Sequence, residues 1–190
     1  MKNKQKEVPR FFYIILTGRL EPTSHKNKFI MNVTTNLSQR NYWAFRTTKN
    51  KSHLEFITKE LSLGRLRQGW GYKACFDLRE NGEEYHHVAQ NIAIMRKVKK
   101  DDILLILNLP NYGLCTIAEA TDDFYTGYLF DIPKNNVGNA PQDFGHIFPA
   151  RIIKTIKKSD ITDVALLKSI NNCRLRFWSL EPYASTIAML

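Results

Sequence analysis

The sequence predicts an α+β domain built around a small curved β-sheet or barrel, antiparallel or mixed, with short helices on its flanks. Three observations carry that prediction. An aromatic strand-like run is followed by an amphipathic helix, then by four strand-like runs separated by short polar turns, then by one more short helix. The chain has 190 residues, which suits one filled domain, and its 43% hydrophobic and 12% aromatic content supplies a core. No apolar run approaches the roughly 18 residues of a membrane span.

Taken in order, residues 1–39 read as an N-terminal basic extension. Its one apolar run, Phe11–Leu16, is either an extra strand or part of a basic arm. Lys2, Lys4 and Lys6 ahead of that run imitate a signal peptide faintly. Pro9 and Gly18 interrupt it and no small-residue cleavage site follows, so no leader is expected. The domain is expected over 41–180, with 181–190 as a C-terminal tail. Tyr42–Arg46 is aromatic and strand-like. Ser52-His53-Leu54-Glu55 has capping-box spacing, Leu54, Ile57 and Leu61 share a helical face, and Gly64 is the expected stop. Residues 83–95 hold a weaker helical pattern.

From Val98 the pattern changes to strands. Lys99–Asp102 is a polar turn, and Ile103–Leu107 is a continuous apolar run suited to a buried strand. Pro110–Gly113 is a turn, Leu114–Ala120 a returning strand, and Phe124–Phe130 a further one. Residues 131–145 read as a loop, Ile147–Ile156 as a strand, and Thr162 as the cap of a short helix through Ile170. Phe177 and Trp178 are expected to close the core.

The formal charge of +10 and the pI of about 9.6 favour a polyanionic partner. Residues 40–100 carry 13 basic and 6 acidic side chains, whereas 101–150 carry 1 and 7, which suggests one basic and one acidic face. Cys75, Cys115 and Cys173 are odd in number and widely spaced, as in a cytoplasmic protein with reduced thiols.

No phosphate-binding loop, dinucleotide fingerprint, H-E-x-x-H or nucleophile-elbow motif occurs, and no acidic residue is followed two positions later by lysine. The sequence therefore leans away from an enzyme and implies no cofactor and no metal. His86-His87 with His146, the pair Asp101-Asp102, and Asp143 with His146 are the nearest approaches to metal or acid–base chemistry. For each, a structural role is the plainer reading.

Gly64-Arg65-Leu66-Arg67-Gln68-Gly69-Trp70-Gly71 concentrates two guanidiniums, three glycines after position 64 is counted, and one large aromatic. Guanidiniums grip phosphate bidentately, and tryptophan offers a face on which a base stacks. A surface turn carrying a core tryptophan and two solvated arginines accounts for the same residues, and the segment alone leaves both readings open.

Three stretches together resemble a known family. Tyr42-Trp43-Ala44-Phe45, Gly69-Trp70-Gly71, and Met95–Leu105 with its Lys99-Lys100-Asp101-Asp102 turn occur in the order found in EVE domains. Gly113–Ala120 is similar to the strand that follows in that family, although Lys100 stands where a glycine is usual. EVE domains belong to the PUA-like superfamily with the YTH and ASCH domains. The resemblance covers about 41–180 and implies a small PUA-like barrel that binds a flipped, modified base between aromatics.

Carried over by position, Trp43 and Trp70 would line the base pocket, with Asn108 and Tyr112 near its mouth. Gln68, Asn108 and Asp143 would supply edge contacts. Arg46, Arg65, Arg67, Lys99, Lys100, Lys157 and Lys158 would hold the phosphate backbone. The resemblance further implies DNA rather than RNA as partner. It also implies a modification-dependent restriction setting, with a nuclease or NTPase subunit acting in trans. Two alternatives stay open: an RNA-binding PUA- or ASCH-like protein with ribonuclease or hydrolase activity through Asp143, His146 or Lys100, and a protein-interaction component.

Overall fold

The computed structural model describes residues 40–69, 77–80, 86–131 and 144–190. Trp70, Asp143, Cys75, the extension 1–39 and most of the loop 131–145 lie outside the described residues.

The elements are β1 (Tyr42–Arg46), α1 (Lys51–Ser62), β2 (Arg65–Gln68), α2 (His86–Lys97), β3 (Ile103–Leu107), β4 (Leu114–Ala120), α3 (Phe124–Gly127), β5 (Leu129–Phe130), β6 (His146–Lys157), α4 (Val164–Asn172), β7 (Phe177–Ser179) and α5 (Ala184–Met189). The strands form one mixed sheet in the order β2-β6-β4-β3-β1-β7, with β5 added to β6. Among the described strands, only β1 and β3 pair in parallel; β1–β7, β2–β6, β3–β4, β4–β6 and β5–β6 are antiparallel. The result is an α+β half-barrel whose edges are β2 and β7.

β6 produces the curl. Its first residues pair with β2 and β5, and from Ala150 onward it pairs with β4. A register irregularity at Ile117/Ala118 on β4 sharpens the bend.

β3 reads as an unbroken apolar run because helices cover both faces of the sheet. Leu104 and Ile106 join Phe45, with Leu54, Ile57 and Leu61 of α1, Met95 of α2 and Phe124 of α3. Ile103, Leu105 and Leu107 join Ala44, Cys115 and Ile117 under Leu166 and Ile170 of α4 and Ile187 of α5. Side chains alternate across a strand, so one five-residue segment serves two cores.

Several expectations need correction. The cap of α1 is Asn50, whose Oδ1 accepts from the backbone N–H of Ser52 at 3.1 Å and of His53 at 3.4 Å, so the helix starts before Ser52. Asp163, not Thr162, caps α4 by accepting from Leu166 N at 2.9 Å. Arg65–Gln68 is a strand rather than a turn: Leu66 is fully buried, and the segment pairs with Pro149 to His146. Gly64 does end α1, at φ +83°, a conformation costly for a residue with a Cβ.

Phe124–Phe130 is a short helix followed by a two-residue strand, because Phe124 and Tyr128, four apart, both point into the core. Residues 181–190, expected as a tail, form a 3-10 turn and α5, with Ile187 packed under the sheet. Phe177 is buried as expected, whereas Trp178 is half-buried and donates to Ser169 Oγ at 3.2 Å.

Candidate nucleic-acid interface

Strand directions bring five strand ends to one end of the sheet. β1 and β3 finish there, β4 and β7 begin there, and β6 finishes there. Thr47, just past β1, donates to Leu107 O at 2.7 Å, and Arg46 N donates to Arg176 O at 2.8 Å. At this end the two sheet edges approach each other. Arg176 Nη1, just before β7, donates to the carbonyl of Gly69, just after β2, at 2.8 Å.

A cavity of about 380 Å³ occupies this seam, lined by Arg46, Thr47, Thr48, His53, Ile57, Gln68, Gly69, Phe144, Arg174 and Arg176. Its size falls within the usual range for small-ligand sites. Ile57 and Phe144 supply apolar surface, and His53 meets the Phe144 ring edge to face with centroids 4.9 Å apart. Among the described residues, three guanidiniums and no carboxylate line it. Among the described residues, four buried side-chain nitrogens have no hydrogen-bond partner: Arg46 Nε, His53 Nε2, Arg65 Nε and Gln68 Nε2. Three of those four belong to residues lining this one cavity. An unsatisfied buried polar atom costs roughly 1–3 kcal/mol, so their concentration on its lining residues singles this cavity out.

Of the residues expected in the base pocket, the structure brings Gln68 to this cavity; its side chain is only 5% exposed. Trp43 does not line it. Its ring stacks on Phe177 with centroids 4.8 Å apart, and its Nε1 donates to Asp102 Oδ2 at 2.8 Å. Asp102 is itself buried and accepts further from Asn41 N, Asn41 Nδ2 and Lys99 N. The tryptophan and the aspartate turn are thus one structural unit, set apart from the cavity lining.

Asn108 occupies a left-handed turn position, φ +67°, which asparagine tolerates. Tyr112 is 71% exposed in the same β3–β4 turn with Lys49 over its ring at 5.6 Å. Both lie at the seam end without lining the cavity.

The expected phosphate contacts divide. Arg46 lines the cavity; its Nη2 donates to the carbonyls of Ile170 and Cys173, and its guanidinium lies 5.5 Å from the Trp178 ring centre. Lys157 and Lys158 are at the same end, where Lys158 N donates to Gly113 O. Lys99 and Lys100 stand at the opposite end, beside Ala120, held by Asp123. These hydrogen bonds, the Lys100 backbone N–H first and the Lys99 ammonium second, keep the Asp123 carboxyl below its usual range. Arg65 pairs with Glu60 Oε1 at 2.7 Å.

Arg67 is corrected outright. It is 3% exposed, donates to Glu60 Oε2 at 2.8 Å, Asp131 Oδ2 at 3.0 Å and Phe144 O at 3.0 Å, and has no face for a phosphate. Burial alone would raise the Glu60 carboxyl, but the hydrogen bonds and charges of Arg67 and Arg65 outweigh it and hold it low. Arg67 instead secures Phe144, part of the cavity wall.

His146 is equally committed. It is 3% exposed, and its Nδ1 meets the Tyr128 hydroxyl at 2.8 Å, which also accepts from Leu78 N at 3.3 Å. Burial lowers its pKa to about 4, so the imidazole is neutral near pH 7. Of the residues named for a hydrolytic alternative, Lys100 is on an exposed turn at the far end, and Asp143 lies outside the described residues. No group of three His, Cys, Asp or Glu converges among the described residues, and no described helix is long and apolar enough to cross a membrane.

Sequence reasoning missed His53, Phe144, Arg174 and Arg176. Arg174-Leu175-Arg176 repeats the Arg-x-Arg spacing of Arg65 and Arg67, which was the one local signal that could have found it.

No protein-family model matches the chain, and no curated protein matches it. Among solved structures it is similar to protein Atu2648 from Agrobacterium tumefaciens, at 16% identity over 78% of this chain and 92% of that one, with a TM-score of 0.38. It is also similar to the Pho92 YTH domain solved in complex with m6A, at 14% identity over 79% and 80% of the two chains, again with a TM-score of 0.38. Likeness that distant establishes no shared function.

Proposed function

We propose that this chain binds nucleic acid and holds one unstacked base in the seam cavity. The observation that carries the reading is the cavity itself, lined among the described residues by three arginines and no carboxylate, with three unpartnered buried nitrogens on its lining residues. Phosphates are drawn by Arg174 and Arg176, both exposed, with Lys49, Lys157 and Lys158 on the surrounding surface of the same sheet end. Extruding a base costs a few kcal/mol, and hydrogen bonds to its edge inside the cavity offset that cost. Trp70 follows Gly69 in sequence, and Gly69 lines the cavity. It is retained in this reading as the stacking aromatic.

Preference for DNA, for a modified base, and a restriction setting with a nuclease or NTPase subunit rest on the motif resemblance alone. The test is a fluorescence-anisotropy titration at two salt concentrations, with single- and double-stranded DNA and RNA, plain and methylated or hydroxymethylated. The double variant Arg174→Ala/Arg176→Ala is expected to weaken every probe and lower the salt slope by about two. Unchanged affinity and slope in that variant would remove the seam from the interface.

A further inference from the structure

The nucleotide reading of the seam cavity leaves its choice of base open, and the polarity of the wall narrows that choice. Arg46 keeps an N–H at Nε, because Nη2 is engaged by Ile170 O and Cys173 O. Gln68 contributes its amide nitrogen, and Arg174 and Arg176 their guanidiniums, one N–H of Arg176 being held by Gly69 O. His53 adds Nε2. The two hydroxyls are engaged: Thr47 donates to Leu107 O, and Thr48 Oγ1 accepts from Asn50 N. Among the described lining residues there is no carboxylate, and the charged and unpartnered side-chain groups are nitrogens, with the Gln68 amide oxygen as an acceptor beside them.

Such a wall selects a ligand by its acceptors. The exocyclic amino groups of adenine and cytosine would turn donors toward it, whereas guanine presents two adjacent acceptors, O6 and N7, on its Hoogsteen edge. Resting on the nucleotide reading above, we infer that the cavity selects guanine, with the Gln68 amide nitrogen directed at its O6/N7 edge. In the empty cavity the unpartnered nitrogens are closed off from solvent. Rotation of the Gln68 amide and the His53 ring about their terminal torsions, which are broad and inexpensive, presents them to the base. Binding then satisfies donors that the empty protein leaves unpaired, so discrimination comes from the same atoms that make the empty cavity costly.

The experiment uses the full chain and short single-stranded oligonucleotides carrying one test base in a pyrimidine context: guanine, 7-deazaguanine, adenine or cytosine. Guanine is expected to bind at least about tenfold more tightly than adenine. 7-Deazaguanine, which lacks only the N7 acceptor, should lose most of that margin, and Gln68→Met should lower guanine affinity toward that of the other bases. The deaza comparison is made on the wild-type protein, so it stands even if the variant folds poorly. Equal, salt-steep binding of all four probes would overturn the guanine inference and leave the nucleic-acid reading intact. Absence of binding to every probe would overturn both.

Discussion

At residue scale, Trp43 shows how a side chain suited to one chemistry is taken by another. Its ring face is covered by Phe177 and its N–H is held by Asp102, the acceptor for four protein N–H contacts from Asn41, Trp43 and Lys99. Trp43→Phe keeps the stack and removes one charge-assisted hydrogen bond. Urea unfolding is expected to show a loss of about 2 kcal/mol, with nucleic-acid affinity unchanged. A variant of undiminished stability that no longer binds would return Trp43 to the interface. Nothing local revealed this role, because the partner lies 59 positions away. Gln68, expected as an edge contact for its two donors and one acceptor next to a glycine and a tryptophan, does line the cavity. Arg65 and Arg67 could not be separated by sequence. Only the burial of Glu60 shows that Arg67 is drawn inward, while Arg65 stays 42% exposed.

At the scale of elements, α1 and β2 are joined by the Glu60–Arg67 pair, and Arg67 also anchors Asp131 and Phe144 across the base of the loop between β5 and β6. β5 and β6 are tied to the segment at Leu78 through Tyr128 and His146. That second tie depends on pH. The unfolded chain protonates His146 near 6.5, whereas burial holds the folded group to about 4. Between these values the unfolded state binds more protons, so stability is full above pH 6.5 and falls as the pH drops toward 4. The linked loss is roughly 3 kcal/mol. Glu60, whose folded pKa lies below 4.5, contributes its own loss only at lower pH. Urea midpoints followed from pH 7.5 to 5 should decline, and His146→Gln should flatten the decline; an unchanged slope would contradict the assignment. β1, β3 and β4 were readable because burial on both faces demands long apolar runs. β2 was not, because a four-residue strand with one aliphatic side chain and two arginines gives no period-two signal. The helix at Phe124 was missed for a related reason, since a single turn offers too few positions to separate period 3.6 from period 2.

Over the whole molecule, the curled sheet determines where function can sit. Leaving the half-barrel open between β2 and β7 creates a seam, and chain direction collects Arg46, Lys49, Lys157, Lys158, Arg174 and Arg176 around that end. The acidic stretch 101–150 supplies Asp122 and Asp123 at the other end, beside Lys99 and Lys100. The charge asymmetry was visible in sequence, but its division between the two ends of the sheet was not. The cavity was likewise illegible, because its lining comes from α1, the ends of β1 and β2, Phe144 and the approach to β7, segments brought together only by the sheet order. The most direct measurement of the central claim is photocrosslinking. A single-stranded oligonucleotide carrying a photoreactive thio-substituted base is irradiated on the protein, and the adducts are located by mass spectrometry. The seam account predicts adducts at His53, Gln68, Phe144 or Arg176; adducts confined to the Lys99–Lys100 end, from an oligonucleotide that is fully bound, would contradict it.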